Sequence, residues 1–162
     1  MERYPNVDWP SFAPSEHAVL LFTRTGGRLL LIHKKRGLGA GKVSAPGGRI
    51  EPGERAVDAA IRETTEELGI TPHNPQECAL LDFAFRDGFT LRVTVFLAES
   101  YTGTPRETDE AIPLWTREND IPYGRMWEDD REWLPLVLSG RYVRGRFEFD
   151  GDAMLSSAID VR

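Results

Sequence analysis

Glu63, Glu66 and Glu67 fall within about one helical turn in the stretch from Arg55 to Leu68. At about 100° per residue they share one flank of the helix that this stretch predicts, within an arc of roughly 100°. Like charges at i,i+3 and i,i+4 spacing each cost about 0.2–0.5 kcal/mol. Glu66 and Glu67 also stand in the last turn, where the helix dipole favours cations. Two local rules are broken at one place, which is where function is expected. A hard divalent cation removes both penalties, since Mg²⁺ takes carboxylate oxygens and bridges them to substrate phosphates. The alternative for such a run is a solvated acidic face.

Several elements must position this helix. Gly69 supplies its stop signal, and Val57, Ala60, Ile61, Thr64 and Leu68 form the face expected to pack on a sheet. Apolar runs at 17–23 and 28–34 flank Thr25-Gly26-Gly27, a hairpin signature. The stretch 36–53 holds six glycines and reads as a loop with a short strand near Val43. Strands are predicted at 78–85 and 89–98 around Arg86-Asp87-Gly88, with a further one at 111–115. A second helix spans 127–138, where Pro135 should kink or shorten it, and a last strand covers 141–149. Residues 1–15, with Pro5, Pro10 and Pro14, read as an irregular arm, and 16–162 as a single domain. This order predicts an α/β (α+β) fold with a mixed central sheet between helices.

The length of 162 residues suits one domain, and 40% hydrophobic with 28% charged residues argues against a disordered chain. Cys78 is the only cysteine, which leaves no internal disulfide and excludes cysteine-rich zinc sites. A net charge of -6 makes the chain a poor general binder of polymeric nucleic acid. No apolar run approaches the ~20 residues of a membrane span, and the first residues show no signal pattern. The expectation is a cytoplasmic monomer with no membrane partner.

Gly48, Glu54, Arg62, Glu63, Glu66, Glu67 and Gly69 match the Nudix box, GX5EX7REUXEEXGU, at every fixed position. Thr64 takes one of its apolar positions and Ile70 the last. The chain therefore resembles the Nudix hydrolases, and the resemblance implies a Nudix α/β/α sandwich and hydrolysis of a nucleoside diphosphate linked to another group. It assigns Glu63, Glu66, Glu67 and Glu110, with the Gly47 carbonyl, to Mg²⁺, with Mn²⁺ as the other candidate cation. It pairs Arg62 with Glu54 to hold the loop against the helix. Glu67 and Glu110 are the candidates for taking the proton of the attacking water.

The likeness continues through Lys34 to Lys42, Gly103-Thr104-Pro105, Asp109-Glu110, Met126 to Asp130, Trp133 to Leu136 and Gly145 to Phe149. These segments are similar to the MutT-homologue branch, the oxidised purine nucleoside triphosphatases, collinearly over about 17–150. That branch implies a purine stacked on Trp127, its hydrogen-bonding edge met by Asp129 and Asp130, walls at Phe83 and Phe149, and a triphosphate near Lys34. Two adjacent carboxyls in an apolar pocket do not both ionise cheaply, so one can stay protonated and donate. An 8-oxo purine carries a donor at N7 where a normal purine has an acceptor, and a carboxylate accepts from the first only.

The chain departs from the branch at Ser44, where it has Asn, and at Leu38, Ala111 and Ala18, where it has Phe, Met and Thr. A Ser hydroxyl has a shorter reach than an Asn amide. The substrate reading is oxidised purine (d)NTPs such as 8-oxo-dGTP, cleaved to monophosphate and pyrophosphate in nucleotide-pool sanitation. The alternatives are ADP-ribose, a dinucleoside polyphosphate or ordinary dNTPs, and then an idle nucleotide-binding module.

Overall fold

The computed structural model describes residues 7–162. Its strands are β1 (Glu16–Thr25), β2 (Arg28–Lys34), β3 (Val43–Ser44) and β4 (Gly47–Arg49), followed by helix α1 (Ala56–Leu68). Then come β5 (Thr71–His73), β6 (Gln76–Phe85), β7 (Thr90–Ala98), β8 (Ser100–Thr102) and β9 (Ala111–Arg117). Helix α2 (Asp130–Leu138), β10 (Val143–Asp150) and β11 (Ala153–Val161) complete the order.

Nine strands form one mixed sheet in the order β11-β10-β6-β7-β1-β2-β3, with β4 on β1 and β9 on β2. The β1–β7 and β6–β10 pairs are parallel and the others antiparallel. The period of two along β1 divides the core. Val19 and Leu21 point to one face, with Phe96, Ala98 and the Ala59–Ala60 step of α1. Ala18, Leu20 and Phe22 point to the other, with Trp133, Leu134 and Val137 of α2. The result is the expected α/β/α sandwich.

β1 is shared along its length. Its first half pairs with β4, at Ala18–Arg49 to Leu20–Gly47, and its second half with β2, from Thr23–Leu30 onward. β2 therefore diverges from β1 at their open ends, where β3 continues from it and β4 fills in beside β1. Helix α1 follows β4 after a six-residue loop, 50–55, so this fork sets where its side chains arrive.

Several expectations need correction. Helix 127–138 begins only at Asp130. Trp127 to Asp129 form the turn before it, and Asp130 N donates to Trp127 O at 3.1 Å. The helix ends one turn after Pro135, which removes an interior N–H donor. The last predicted strand shifts to Val143–Asp150, and β11 extends the sheet beyond it. Of the arm, residues 1–6 lie outside the described residues. The rest holds a 3-10 turn at Trp9–Ser11 and is tied down where Ser15 bonds Thr90, with N to Oγ1 and Oγ to O both 2.8 Å. Phe12 lies over the Arg92 guanidinium, 5.9 Å from its ring centroid, and Arg92 in turn clasps the buried Asp82.

Among the described residues no helix is long and apolar enough to cross a membrane.

Candidate active site

Helix α1 turns its expected face to the sheet, rotated so that Ala59 and Glu67 join it and Ile61 moves to its margin. Ala59, Ala60, Thr64, Glu67 and Leu68 are buried, while Val57 and Ile61 are half-buried. Two adjacent alanines let the helix approach β1 and β4 closely. This rotation separates the three glutamates: Glu67 is 2% exposed, whereas the Glu66 side chain is 51% exposed. Thr64 adapts to burial by donating its hydroxyl to Ala60 O at 2.8 Å.

Glu63, Glu67 and Glu110 bring one carboxylate oxygen each within 4.8 Å of one another. Glu67 Oε2 accepts from Gly47 N at 2.9 Å. Burial, with Glu63 and Glu110 nearby, pushes the Glu67 carboxyl up to about 8 despite this bond. Burial also raises Glu63, against the pull of the Arg62 guanidinium. Lys34 is the lysine facing this group; burial lowers its pKa while Glu67, Glu63 and Glu110 act to raise it.

Three carboxylates gathered around one point form the donor set that a hard divalent cation takes. The backbone makes room for it. A Cβ built on Gly48 would lie 2.5 Å from the Glu63 carboxyl carbon, and one on Gly47 would lie 2.0 Å from Val19 O. The Gly48→Ala variant should therefore lose metal affinity by about 10–100-fold, the scale of disturbing a ligand's support. Titration calorimetry with Mn²⁺ measures this, and unchanged affinity would refute it.

Glu54 and Arg62 meet side-on, at 2.8 Å to Nε and 2.9 Å to Nη2. Arg62 Nη2 also donates to Arg49 O at 3.1 Å, and Nη1 to Glu63 Oε1 at 2.9 Å. The Glu54 carboxyl falls to about 2, chiefly through the Arg62 hydrogen bonds. Arg62 thus links the loop, β4 and a carboxylate of the acidic group. Glu66 reaches it only at 3.4 Å, from the solvent side, and stands outside the three-carboxylate cluster.

Glu110 comes from the loop between β8 and β9. That loop docks on the end of α1, where Arg106 N donates to Leu68 O at 2.9 Å and Thr108 Oγ1 to Glu67 O at 2.7 Å. Gly69, in the left-handed region at φ 76°, lets the chain turn away there. These bonds satisfy helix-terminal carbonyls in a turn that contains two glutamates and no basic residue. Replacing Thr108 by Ala should cost about 1 kcal/mol, or a fall of about 2–4 °C in thermal midpoint for a chain of this size. A melting curve without metal checks it. Glu110 also pairs with Arg36 at 3.2 Å, and its backbone O accepts from Lys35 N at 3.0 Å.

A cavity of about 400 Å³ opens beside this group. Gly47, Gly48 and Lys34 line the end nearest the carboxylates. Phe83, Phe85 and Phe89 line the cavity as well, as do Trp127, Asp129, Asp130 and Trp133. Ser44 and Ala18 line it too, and Leu38, 51% exposed, sits at the mouth. Phe149 is not in the wall. It is fully buried behind it, with its ring 5.5 Å from Trp127 and 5.7 Å from Phe85. Ala111 also lies away from the cavity, buried with Leu30, Ile32 and Leu68 on the α1 side.

Asp129 and Asp130 are 2% and 6% exposed. Asp129 Oδ2 accepts from Trp133 Nε1 at 2.8 Å, whereas Oδ1 is buried with no hydrogen-bond partner among the described residues. Burial raises the Asp129 carboxyl to about 6 and holds Asp130 well above the ordinary carboxylate range, with Asp129 adding to the latter effect. An unpartnered buried acceptor costs about 1–3 kcal/mol, and a ligand donor would remove that cost.

Trp133 and Phe85 were not among the expected site residues. Trp133 lies one helical turn after Asp129 and Phe85 two residues after Phe83, spacings that place each pair on one face.

The NUDIX domain model matches residues 14–137. The chain is 40% identical over 136 residues to an oxidized purine nucleoside triphosphate hydrolase of Danio rerio, covering 83% of this chain and 87% of the relative. It is 37% identical over 134 residues to the Mus musculus protein of that name, covering 82% and 86%. Its backbone matches the crystal structure of a MutT protein from Bacillus halodurans with a TM-score of 0.81 at 25% identity, over 90% of this chain and 97% of that one.

Proposed function

The chain belongs to the Nudix family and is a hydrolase of phosphoric anhydride bonds, and from that premise we propose that it cleaves oxidised purine nucleoside triphosphates, such as 8-oxo-dGTP, to the monophosphate and pyrophosphate. The observation that carries this reading is the unpartnered Asp129 Oδ1, in an aromatic cavity that is also lined by Gly47, whose N–H bonds the Glu67 carboxylate. A base that presents a donor satisfies that oxygen. A base that presents an acceptor leaves two acceptors face to face.

Glu63, Glu67 and Glu110 would hold Mg²⁺ or Mn²⁺, with the Gly47 carbonyl beside them and Glu66 reaching in from the solvent side. The cation supplies charge neutralisation on the phosphates and acidifies water. The protein's own part is positional. Lys34 faces the polyphosphate, and Arg62 with Glu54 fixes β4 against α1. Trp127 stacks on the purine, Phe83 bounds its plane, and Ser44 lies along the cavity beside Asp129 and Asp130. Glu67, whose carboxyl burial pushes up to about 8, takes the proton of the attacking water. Residues 16–162 act as one catalytic domain, as a cytoplasmic monomer whose partner is the small nucleotide.

Release of the nucleoside monophosphate from 8-oxo-dGTP, 2-oxo-dATP, dGTP and ADP-ribose (AMP in the last case) under Mg²⁺, measured side by side, tests the reading. An oxidised purine should lead dGTP by at least about tenfold in kcat/KM. Equal rates for 8-oxo-dGTP and dGTP, or a lead for ADP-ribose, would overturn it.

A further inference from the structure

Lys42 stands with its Nζ over the Trp127 ring, 5.0 Å from the centroid. Its ammonium is anchored on the other side by Asp152, at 3.3 Å, from the turn between β10 and β11. The side chain is largely covered, at 23% exposure, while Asp152 is 75% exposed. Trp127 lines the cavity and Lys42 does not, so the indole stands between the ammonium and the space for a base. The loop that carries Lys42 closes on itself, since Lys34 N donates to Lys42 O at 3.0 Å and Gly41 N to Lys34 O at 2.8 Å. Gly39 in that loop abuts the indole so closely that a Cβ there would lie 2.7 Å from Trp127 Nε1.

We propose that Lys42 is a positioning and specificity residue: held by Asp152, its charge fixes the Trp127 indole and draws electron density toward the ammonium and away from the face turned to the base, so that the ring stacks more strongly on an electron-rich, oxidised purine. This rests on the purine reading above. The physical basis is the ring quadrupole. A cation over one face is attracted to it and leaves the opposite face less negative. A base with an added electron-donating oxygen then stacks at lower electrostatic cost. The effect adds to the hydrogen bonding at Asp129; the Lys42 charge also draws the Asp130 carboxyl down, and the Trp127→Leu background below separates the two. It also joins the base site to the phosphate site, because the one closed loop presents both Lys34 and Lys42.

The test is binding of the product 8-oxo-dGMP and of dGMP, in chelator, followed by titration calorimetry. The Lys42→Met variant should bind 8-oxo-dGMP roughly fivefold to tenfold more weakly than the parent, on the scale of a partly desolvated cation–π contact. Its dGMP affinity should change by about twofold or less. Lys42→Arg should restore the parent value, because a guanidinium keeps the charge over the ring. In a Trp127→Leu background, Lys42→Met should have no further effect, which a general loss of structure would not reproduce. Under Mg²⁺, the loss in Lys42→Met should fall on KM for 8-oxo-dGTP, with kcat kept within about twofold.

Equal weakening of both nucleotides, an undiminished Lys42 effect in the Trp127→Leu background, or failure of Lys42→Arg to rescue would each overturn the proposal. If the parent binds 8-oxo-dGMP no better than dGMP, the purine reading itself falls and this inference falls with it. If the parent discriminates and Lys42→Met does so equally, only this inference fails.

Discussion

Replacing Glu67 by glutamine should lower kcat by about 10³-fold or more, the scale of several kcal/mol of lost charge stabilisation, while the protein stays folded. The fold tolerates the change because an amide oxygen can still accept from Gly47 N, and the amide hydrogens would face the carboxylates of Glu63 and Glu110. The pH dependence of stability should change as well. The Glu67 carboxyl is raised to about 8, well above its unfolded value of about 4.3. The folded state therefore binds more protons than the unfolded one between those values, and stability falls as pH rises through that window. Melting curves in chelator from pH 5 to 9 should show that fall in the parent and a flatter profile in Glu67→Gln. Mg²⁺ should restore the parent at pH 9 and leave the variant nearly unmoved. A variant that keeps turnover, or that Mg²⁺ still stabilises as strongly, would remove Glu67 from the metal site.

Asp129→Asn should act on substrate choice. The amide oxygen can keep the bond from Trp133 Nε1, which places the NH₂ where the unpartnered Oδ1 now stands. One acceptor becomes a donor and little else changes. The kcat/KM for 8-oxo-dGTP should fall by about 10²-fold or more, since a site built on hydrogen bonds rejects a mismatched partner strongly. That for dGTP should change by less than about tenfold. Stability should not suffer. The carboxyl, raised to about 6, favours folding in its neutral form and loses that contribution as pH climbs from about 4 through 6. A neutral amide avoids the loss at pH 7.5. Parallel falls for both nucleotides would mean that Asp129 supports the cavity without reading the base.

Much of the site is legible in the chain because it is local. The box lies on one loop and one helix, so spacing alone brings Glu54, Arg62, Glu63 and Glu67 together. What spacing does not reveal is the direction of burial. The arc of three glutamates is correct, yet Glu67 enters the core while Glu66 faces solvent, because the small Ala59–Ala60 step lies at the centre of the packed face and Val57 and Ile61 only at its margin. Thr108 and Glu110 arrive from a distant loop, and no local pattern marks them as caps and neighbours of α1. β5 and β8 have three residues each and depend on one another for their pairing. β11 carries two adjacent serines at its centre, which blur its alternation, and β10 provides the partner that makes it a strand. Phe149 has the composition of a wall residue, but an aromatic layer in front of it keeps it from the cavity.

The docking of the β8–β9 loop on α1 also bears on how the molecule breathes. Thr108 and Glu67 are 41 positions apart, so the acidic group closes only when two distant parts of the chain meet. Such a closure can open as a unit of its own, well below the free energy of complete unfolding. Arg106 N–H, bonded to Leu68 O, reports that event, because its exchange with deuterium requires the loop to lift. In chelator this amide should exchange far sooner than those in the central β1–β7 ladder, and a bound divalent ion, tying Glu110 to Glu63 and Glu67, should bring its protection close to theirs. Metal release would then be timed by the opening of one loop rather than by the life of the fold.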